Sequence, residues 1–145
     1  MLIGEYTHTI DDKNRISLPS KFRKEIGKKL IISRGLDRCL FLYPTDEWKK
    51  EISGKLSTLT TGQADVRGFS RFMLAGAVET DVDSIGRILI PDFLREFAEL
   101  KDQVVFAGVN NRVEIWQEKR WTEYKREIEK QADLLAEKLG GTGAF

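Results

Sequence analysis

Cysteine and histidine each occur once in this chain, as Cys39 and His8, and that scarcity excludes internal disulfides and Cys/His metal clusters at the outset. A lone cysteine closes no internal disulfide, which fits a reducing cytoplasm. With one histidine, no Cys/His set has zinc spacing. His8 lies on the alternating stretch EYTHTI and reads as a solvated strand residue, while Cys39, beside a predicted turn at the head of an apolar strand, reads as a small buried hydrophobe rather than a nucleophile. Long apolar runs are also missing: nothing approaches the ~18–20 residues a bilayer span needs. MLIGEYTHTI has no basic stretch followed by an apolar one, so no secretory signal is expected, and no membrane partner.

Net charge, too, is nearly absent at +1, but it is unevenly divided. Residues 1–50 carry eleven Lys/Arg against seven Asp/Glu, whereas residues 76–122 carry six against nine. Hydrophobic residues make up 41% and charged residues 32% of the 145, a composition for a folded domain rather than a disordered one. A chain of this length buries roughly 68–70% of its unfolded surface.

Two stretches repeat each other: IDDKNRISLPSKFR at 10–23 and VDSIGRILIPDFLR at 82–95. Asp11 falls on Asp83, Arg15 on Arg87, Leu18 on Ile90, Pro19 on Pro91, Phe22 on Leu94 and Arg23 on Arg95. After a two-residue slip, 30–42 aligns with 104–116, and Trp48 and Trp121 close the copies. Two copies at such a period mean a duplicated domain, not a solenoid. Each copy predicts a strand (4–10; 76–82), a turn, a second strand (RISLP; RILIP), a short helix with Pro19 or Pro91 in its first turn, and two further strands (KLIISR and CLFLY; QVVFAG and VEIWQ). Gly27 is placed to stop the first helix.

The expected organisation is repeat one at 5–47, connecting helices at 48–75, repeat two at 76–119, and a C-terminal amphipathic helix and tail at 120–145. Trp48, Ile52, Leu56 and Leu59 form one stripe, with Thr45 a candidate N-cap, and Val66, Phe69, Phe72 and Met73 form another. The tail places Trp121, Tyr124, Ile128, Ala132, Leu135 and Leu139 at 3/4 spacing, which suits a helix docked on its own core or a subunit interface equally. These stripes exceed what one small barrel covers, so a homo-oligomer is expected.

Asp11 and Asp83 open turns in which a carboxylate accepts backbone N–H bonds and pairs with the Arg four residues on. The residue before each Arg is Asn14 in one copy and Gly86 in the other, the two residue types that most readily adopt positive φ. Such a turn aims its arginine at a guanine edge or a phosphate, or else merely braces a hairpin. Lys13, Lys21, Arg23, Lys24, Lys28 and Lys29 surround Arg15 in sequence, so the first copy is the expected polyanion face and Arg15 the expected principal contact.

The paired D-x-x-x-R motifs, DDKNRISLP and DSIGRILIP, each followed by a short helix, resemble the MraZ family of bacterial transcription regulators, which carry two SpoVT-AbrB-type domains in one chain. The resemblance covers nearly the whole sequence. It implies an α+β, β-rich fold in which the two repeats interlock their hairpins into one swapped β-barrel with flanking helices. It also implies a sequence-specific regulator, repressing the division and cell-wall gene cluster that includes its own gene. That regulator is nucleoid-associated and assembled as a ring-like homo-oligomer, an octamer, on direct repeats in double-stranded promoter DNA. The resemblance maps the family's motif arginines onto Arg15 and Arg87; with Lys13, Asn14, Lys21 and Arg23 from the basic first motif, these are the expected DNA-binding residues, on turns set by Asp11, Asp83 and Gly86. Ser17 departs from the family pattern by replacing an apolar residue. No catalytic residue, metal or cofactor is expected. The competing classes are a structural ring without DNA binding and, through Asp11/Asp12 and Asp81/Asp83, a metal-dependent nuclease.

Overall fold

The computed structural model describes residues 1–145. In the first copy β1 (Leu2–Thr9), β2 (Arg15–Ser17), a short helix (Ser20–Ile26), β3 (Lys29–Arg34) and β4 (Leu40–Pro44) follow one another. The second copy repeats this order as β5 (Ala77–Asp81), β6 (Arg87–Leu89), a helix (Asp92–Phe97), β7 (Gln103–Asn110) and β8 (Val113–Gln117). Connecting helices occupy 45–57 and 64–75, and a helix over Glu118–Gly141 ends the chain. The fold is α+β with antiparallel strand pairing throughout.

The copies exchange strands. β1 of the first copy pairs along its full length with β7 of the second, from Leu2 opposite Asn110 to Thr9 opposite Gln103, and β5 of the second pairs with β3 of the first. With β4 against β8 at the centre, the result is one six-stranded sheet in the order β1-β7-β8-β4-β3-β5. β2 and β6 pair only with each other, as a two-stranded ribbon. Ile16 sits opposite Ile88, its own counterpart in the repeat, so a pseudo-twofold axis passes between them. The bonds at the ribbon's ends obey it: Leu18 N–H donates to the Gly86 carbonyl at 2.9 Å and Ile90 N–H to the Asn14 carbonyl at 2.8 Å.

The expected closed barrel is not found. The sheet is open, with β1 and β5 at its edges, and the ribbon forms no ladder with either edge. Each motif strand is three residues long, bounded by its Asp turn on one side and by a proline, which has no N–H to donate, two residues beyond its end. Strands so short pair with each other but do not also bridge the edges.

A core of Ile16, Leu18, Phe22, Ile88, Ile90 and Leu94 against Leu30, Ile32, Val104 and Phe106 fills the space between ribbon, short helices and sheet. The other sheet face buries Ile31, Phe41, Tyr43, Val105 and Trp116 under Trp48, Ile52 and Leu56 of the first connecting helix and Met73 and Phe72 of the second. In each connecting helix one turn, Lys49–Ser53 or Arg71–Ala75, is wound as a π-helix. Pro19 and Pro91 stand one residue before their helices rather than inside them, and Pro44 rather than Thr45 precedes the first connecting helix. Thr45 is instead helical, its hydroxyl reaching the Lys29 carbonyl at 3.4 Å. Gly27 ends the first short helix at φ 80°.

One alignment needs correction. Arg34 pairs with Leu40 and Gly108 with Val113, so the first β-hairpin loop is one residue longer than the second. Leu40 and Leu42 therefore correspond to Val113 and Ile115, all buried in the same core, and not to Glu114 and Trp116.

The C-terminal helix docks only by its beginning. Trp121 and Tyr124 lie against Trp116 at 5.3 and 5.1 Å between ring centroids, and Glu5 of β1 accepts from Trp121 Nε1 at 3.1 Å and Lys125 Nζ at 2.8 Å. Beyond this, Ile128, Ala132, Leu135 and Leu139 line an open apolar groove with Phe145. No helix is long and apolar enough to cross a membrane.

Candidate nucleic-acid interface

The two motif turns are built alike. Asp11 accepts from the backbone N–H of Lys13 and of Arg15, both at 2.9 Å, and from Arg15 Nε at 3.3 Å. Asp83 accepts from the N–H of Ile85 at 3.0 Å, the N–H of Arg87 at 2.8 Å and Arg87 Nε at 2.8 Å. Bent at Asn14 (φ 60°) and Gly86 (φ 86°), each turn returns the chain so that the arginine starts the ribbon. The N–H of Arg15 holds the Asp11 carboxyl below the usual carboxylate range, with Lys13 N–H and the Arg15 charge adding to it. The N–H of Arg87, then its side chain and Ile85 N–H, do the same for Asp83.

Period-2 alternation decides what the ribbon shows to solvent. Ile16 and Ile88 point into the core, each 1% exposed. Arg15 and Ser17 with Arg87 and Leu89 therefore share the outer face, Arg15 opposite Leu89 and Ser17 opposite Arg87. Only Nε of each motif arginine is engaged by its Asp; the terminal guanidinium nitrogens stay open, on side chains about one-third exposed.

Strand exchange changes the company each arginine keeps. The Gly86 turn faces the first helix: Arg23 donates from Nε to the Leu18 carbonyl at 2.9 Å, and its guanidinium lies so close over Gly86 that a Cβ there would collide with it. Lys21 and Lys24 share that helix, and the Lys28 carbonyl accepts from Val82 N–H beside the turn. The Asn14 turn faces the second helix instead. Asn14 donates from Nδ2 to Asp92 at 2.6 Å, the Asp102 carbonyl accepts from Ile10 N–H, and a cleft of about 440 Å³ there has Asp11, Asp12, Asp92 and Asp102 against Arg95 and Lys101 as its charged lining. Of the cations that flank Arg15 in sequence, Arg23 thus lies on the turn of Arg87, with Lys21 and Lys24 on the same helix, while Lys29 pairs with Glu79 and Asp81 of β5. The premise that made Arg15 the main polyanion contact fails because the helix following each motif packs on the other copy's turn.

His8 is not a free strand residue: it is half-buried, donating from Nδ1 to the Ser17 carbonyl at 2.5 Å and lying edge-on to Phe106 at 5.7 Å, so it ties β1 to the ribbon. Cys39 is fully buried, its Sγ on the Leu36 carbonyl at 3.1 Å, and burial pushes its thiol pKa up, with Glu114 adding to the shift. No group of three or more His, Cys, Asp or Glu is placed to hold a metal ion. Sequence reasoning did not single out Leu89, although alternation about Ile88 is the signal that puts it on the face of Arg15.

The repeat has a counterpart among known proteins. The family model described as "MraZ protein, putative antitoxin-like" matches twice, over residues 1–72 and 73–139. Proteins named transcriptional regulator MraZ from Caldanaerobacter subterraneus subsp. tengcongensis and from Moorella thermoacetica are each 51% identical over 139 residues, 96% of this chain and 96% of theirs. The protein of that name from Syntrophomonas wolfei is 46% identical over 143 residues, 99% of either chain. With both repeats matched and near-full-length relatives at about half identity, the chain belongs to the MraZ family.

Proposed function

We propose that this chain is a transcriptional regulator that binds double-stranded DNA through the outer face of the β2–β6 ribbon. One observation carries the reading: a two-stranded ribbon, the element besides a helix that a major groove admits, presents two arginines that are held at Nε and open at their guanidinium ends. Arg15, Lys13 and Asn14 act at one end of the ribbon; Arg87, Arg23 and Lys21 act at the other. The relatives' name, transcriptional regulator, supports the same reading.

The finer account follows the family resemblance. The protein acts in the cytoplasm at the nucleoid and represses the division and cell-wall cluster that includes its own gene. It assembles as a ring-like homo-oligomer, an octamer, with neighbours seated on the uncovered stripe Ile128, Ala132, Leu135 and Leu139. The twofold axis is already used inside one chain, so neighbouring protomers meet DNA in the same orientation, on direct repeats spaced about 10–10.5 bp apart. Binding of DNA from upstream of its own coding sequence tests this. Affinity should fall steeply with salt, by about 0.9 log units per neutralised phosphate per log unit, and should collapse when half a helical turn is inserted between repeats. Affinity indifferent to the insertion, or protection of an inverted repeat, would refute the arrangement.

A further inference from the structure

The pseudo-twofold is broken at three positions around the ribbon. Lys13, Ser17 and Lys21 in the first copy stand where the second has Ile85, Leu89 and Phe93, which are 62%, 52% and 44% exposed. A single exposed leucine needs no explanation, but Leu89 sits directly across the ribbon from Arg15, on the same outward face. Side chains so paired have Cβ atoms about 4.5–5.5 Å apart. Phe93 follows Asp92, whose carboxylate holds Asn14, so Leu89 and Phe93 both belong to the Arg15 end although they come from the other copy. The carboxylates of Asp12 and Asp92 lie at that same end. Acids beside the ribbon repel phosphates, and an apolar side chain beside an arginine has nothing to gain from them. Both favour the edges of bases. The Arg87 end is the richer in cations: Arg23, whose mate Arg95 lines the cleft at the Arg15 end with Lys101, is joined by Lys21 and Lys24 on the adjoining helix, where the second copy has Phe93 and Glu96, although Ile85 is exposed at the Arg87 end.

Resting on the DNA-binding reading above, we propose that the ribbon is polarised: its Arg15 end reads bases, with Leu89 packing on the 5-methyl group of a thymine, while its Arg87 end holds the phosphate backbone. In the major groove only thymine among the four bases presents that methyl, so Leu89 is a specificity-determining residue. Phe93 borders the same contact.

The test is a set of upstream duplexes in which thymines are replaced one at a time by deoxyuridine, which differs only by the methyl group. Wild-type protein should lose about fourfold in affinity at one or two thymines per repeat, the factor that burying one methylene-sized group corresponds to. Leu89→Ser, which installs the residue of the twofold mate, should lose that dependence with its melting temperature and assembly mass unchanged. Ile85→Lys, the matching exchange at the other end, should keep it, and Arg23→Ala should weaken binding to thymine and uracil duplexes equally. Tight binding without any thymine-methyl dependence would overturn the proposal and leave DNA binding intact. So would a Leu89→Ser protein that changes assembly mass yet keeps the dependence, since Leu89 would then face a neighbouring protomer. Failure to bind any upstream duplex would overturn the DNA-binding reading itself and this proposal with it.

Discussion

The two ends of the β2–β6 ribbon share a backbone and differ in nearly everything around it. At each end an aspartate accepts two backbone N–H bonds and an arginine Nε, and the residue before the arginine has positive φ. Yet one turn lies against Asp92 and the other under Arg23. The lesson concerns duplication with strand exchange: sequence neighbours of one motif become spatial neighbours of the other. A charge run read along the chain therefore describes the wrong end of the site.

Separating the copies breaks the comparison most severely. Because β1 pairs only with β7, β5 only with β3 and β2 only with β6, residues 1–50 and 76–145 expressed apart leave β1, β2, β5 and β6 without partners, and neither fragment should show a cooperative thermal transition. Next come the arginines. Arg15→Ala and Arg87→Ala should each cost about 1.5–3 kcal/mol of DNA affinity, the worth of a charge-assisted contact. Isotherms on matched and scrambled duplexes separate the two: the loss at Arg87 should be alike on both, that at Arg15 larger on the matched one. Gly86→Ala should cost about 1–2 kcal/mol of stability in urea melts, because an alanine at positive φ brings its Cβ against the following carbonyl; the crowding with Arg23 relaxes by displacing that flexible side chain. The smallest effect is acid. Asp11 and Asp83 have lowered folded-state pKa values, so their stabilising contribution is present above the ordinary aspartate pKa and is lost as pH falls through the lowered values. Carboxyl NMR titration should find both still ionised below about pH 4, when exposed unpaired aspartates are half protonated.

Much of this was legible in the sequence, for identifiable reasons. The turns were, because Asp at the start and Asn or Gly before Arg are local signals whose geometry needs no distant partner. The helix stop at Gly27 was legible for the same reason. Sheet closure was not: whether three-residue strands join an edge or pair together depends on contacts between copies, which periodicity does not encode. The character of His8 was missed because its partner, the Ser17 carbonyl, lies on another strand. Likewise the one-residue difference between the β3–β4 and β7–β8 loops left the spacing of apolar residues ambiguous until pairing resolved it.

A double-mutant cycle in DNA affinity tests most directly whether each end of the ribbon is assembled from both copies. Arg23→Ala is combined once with Arg87→Ala and once with Arg15→Ala, each variant first checked for unchanged melting. If Arg23 and Arg87 grip one stretch of backbone together, their losses should be non-additive by about 0.5–3 kcal/mol, while Arg23 and Arg15, at opposite ends, should add to within about 0.5 kcal/mol. Coupling between Arg23 and Arg15, with additivity between Arg23 and Arg87, would contradict the account.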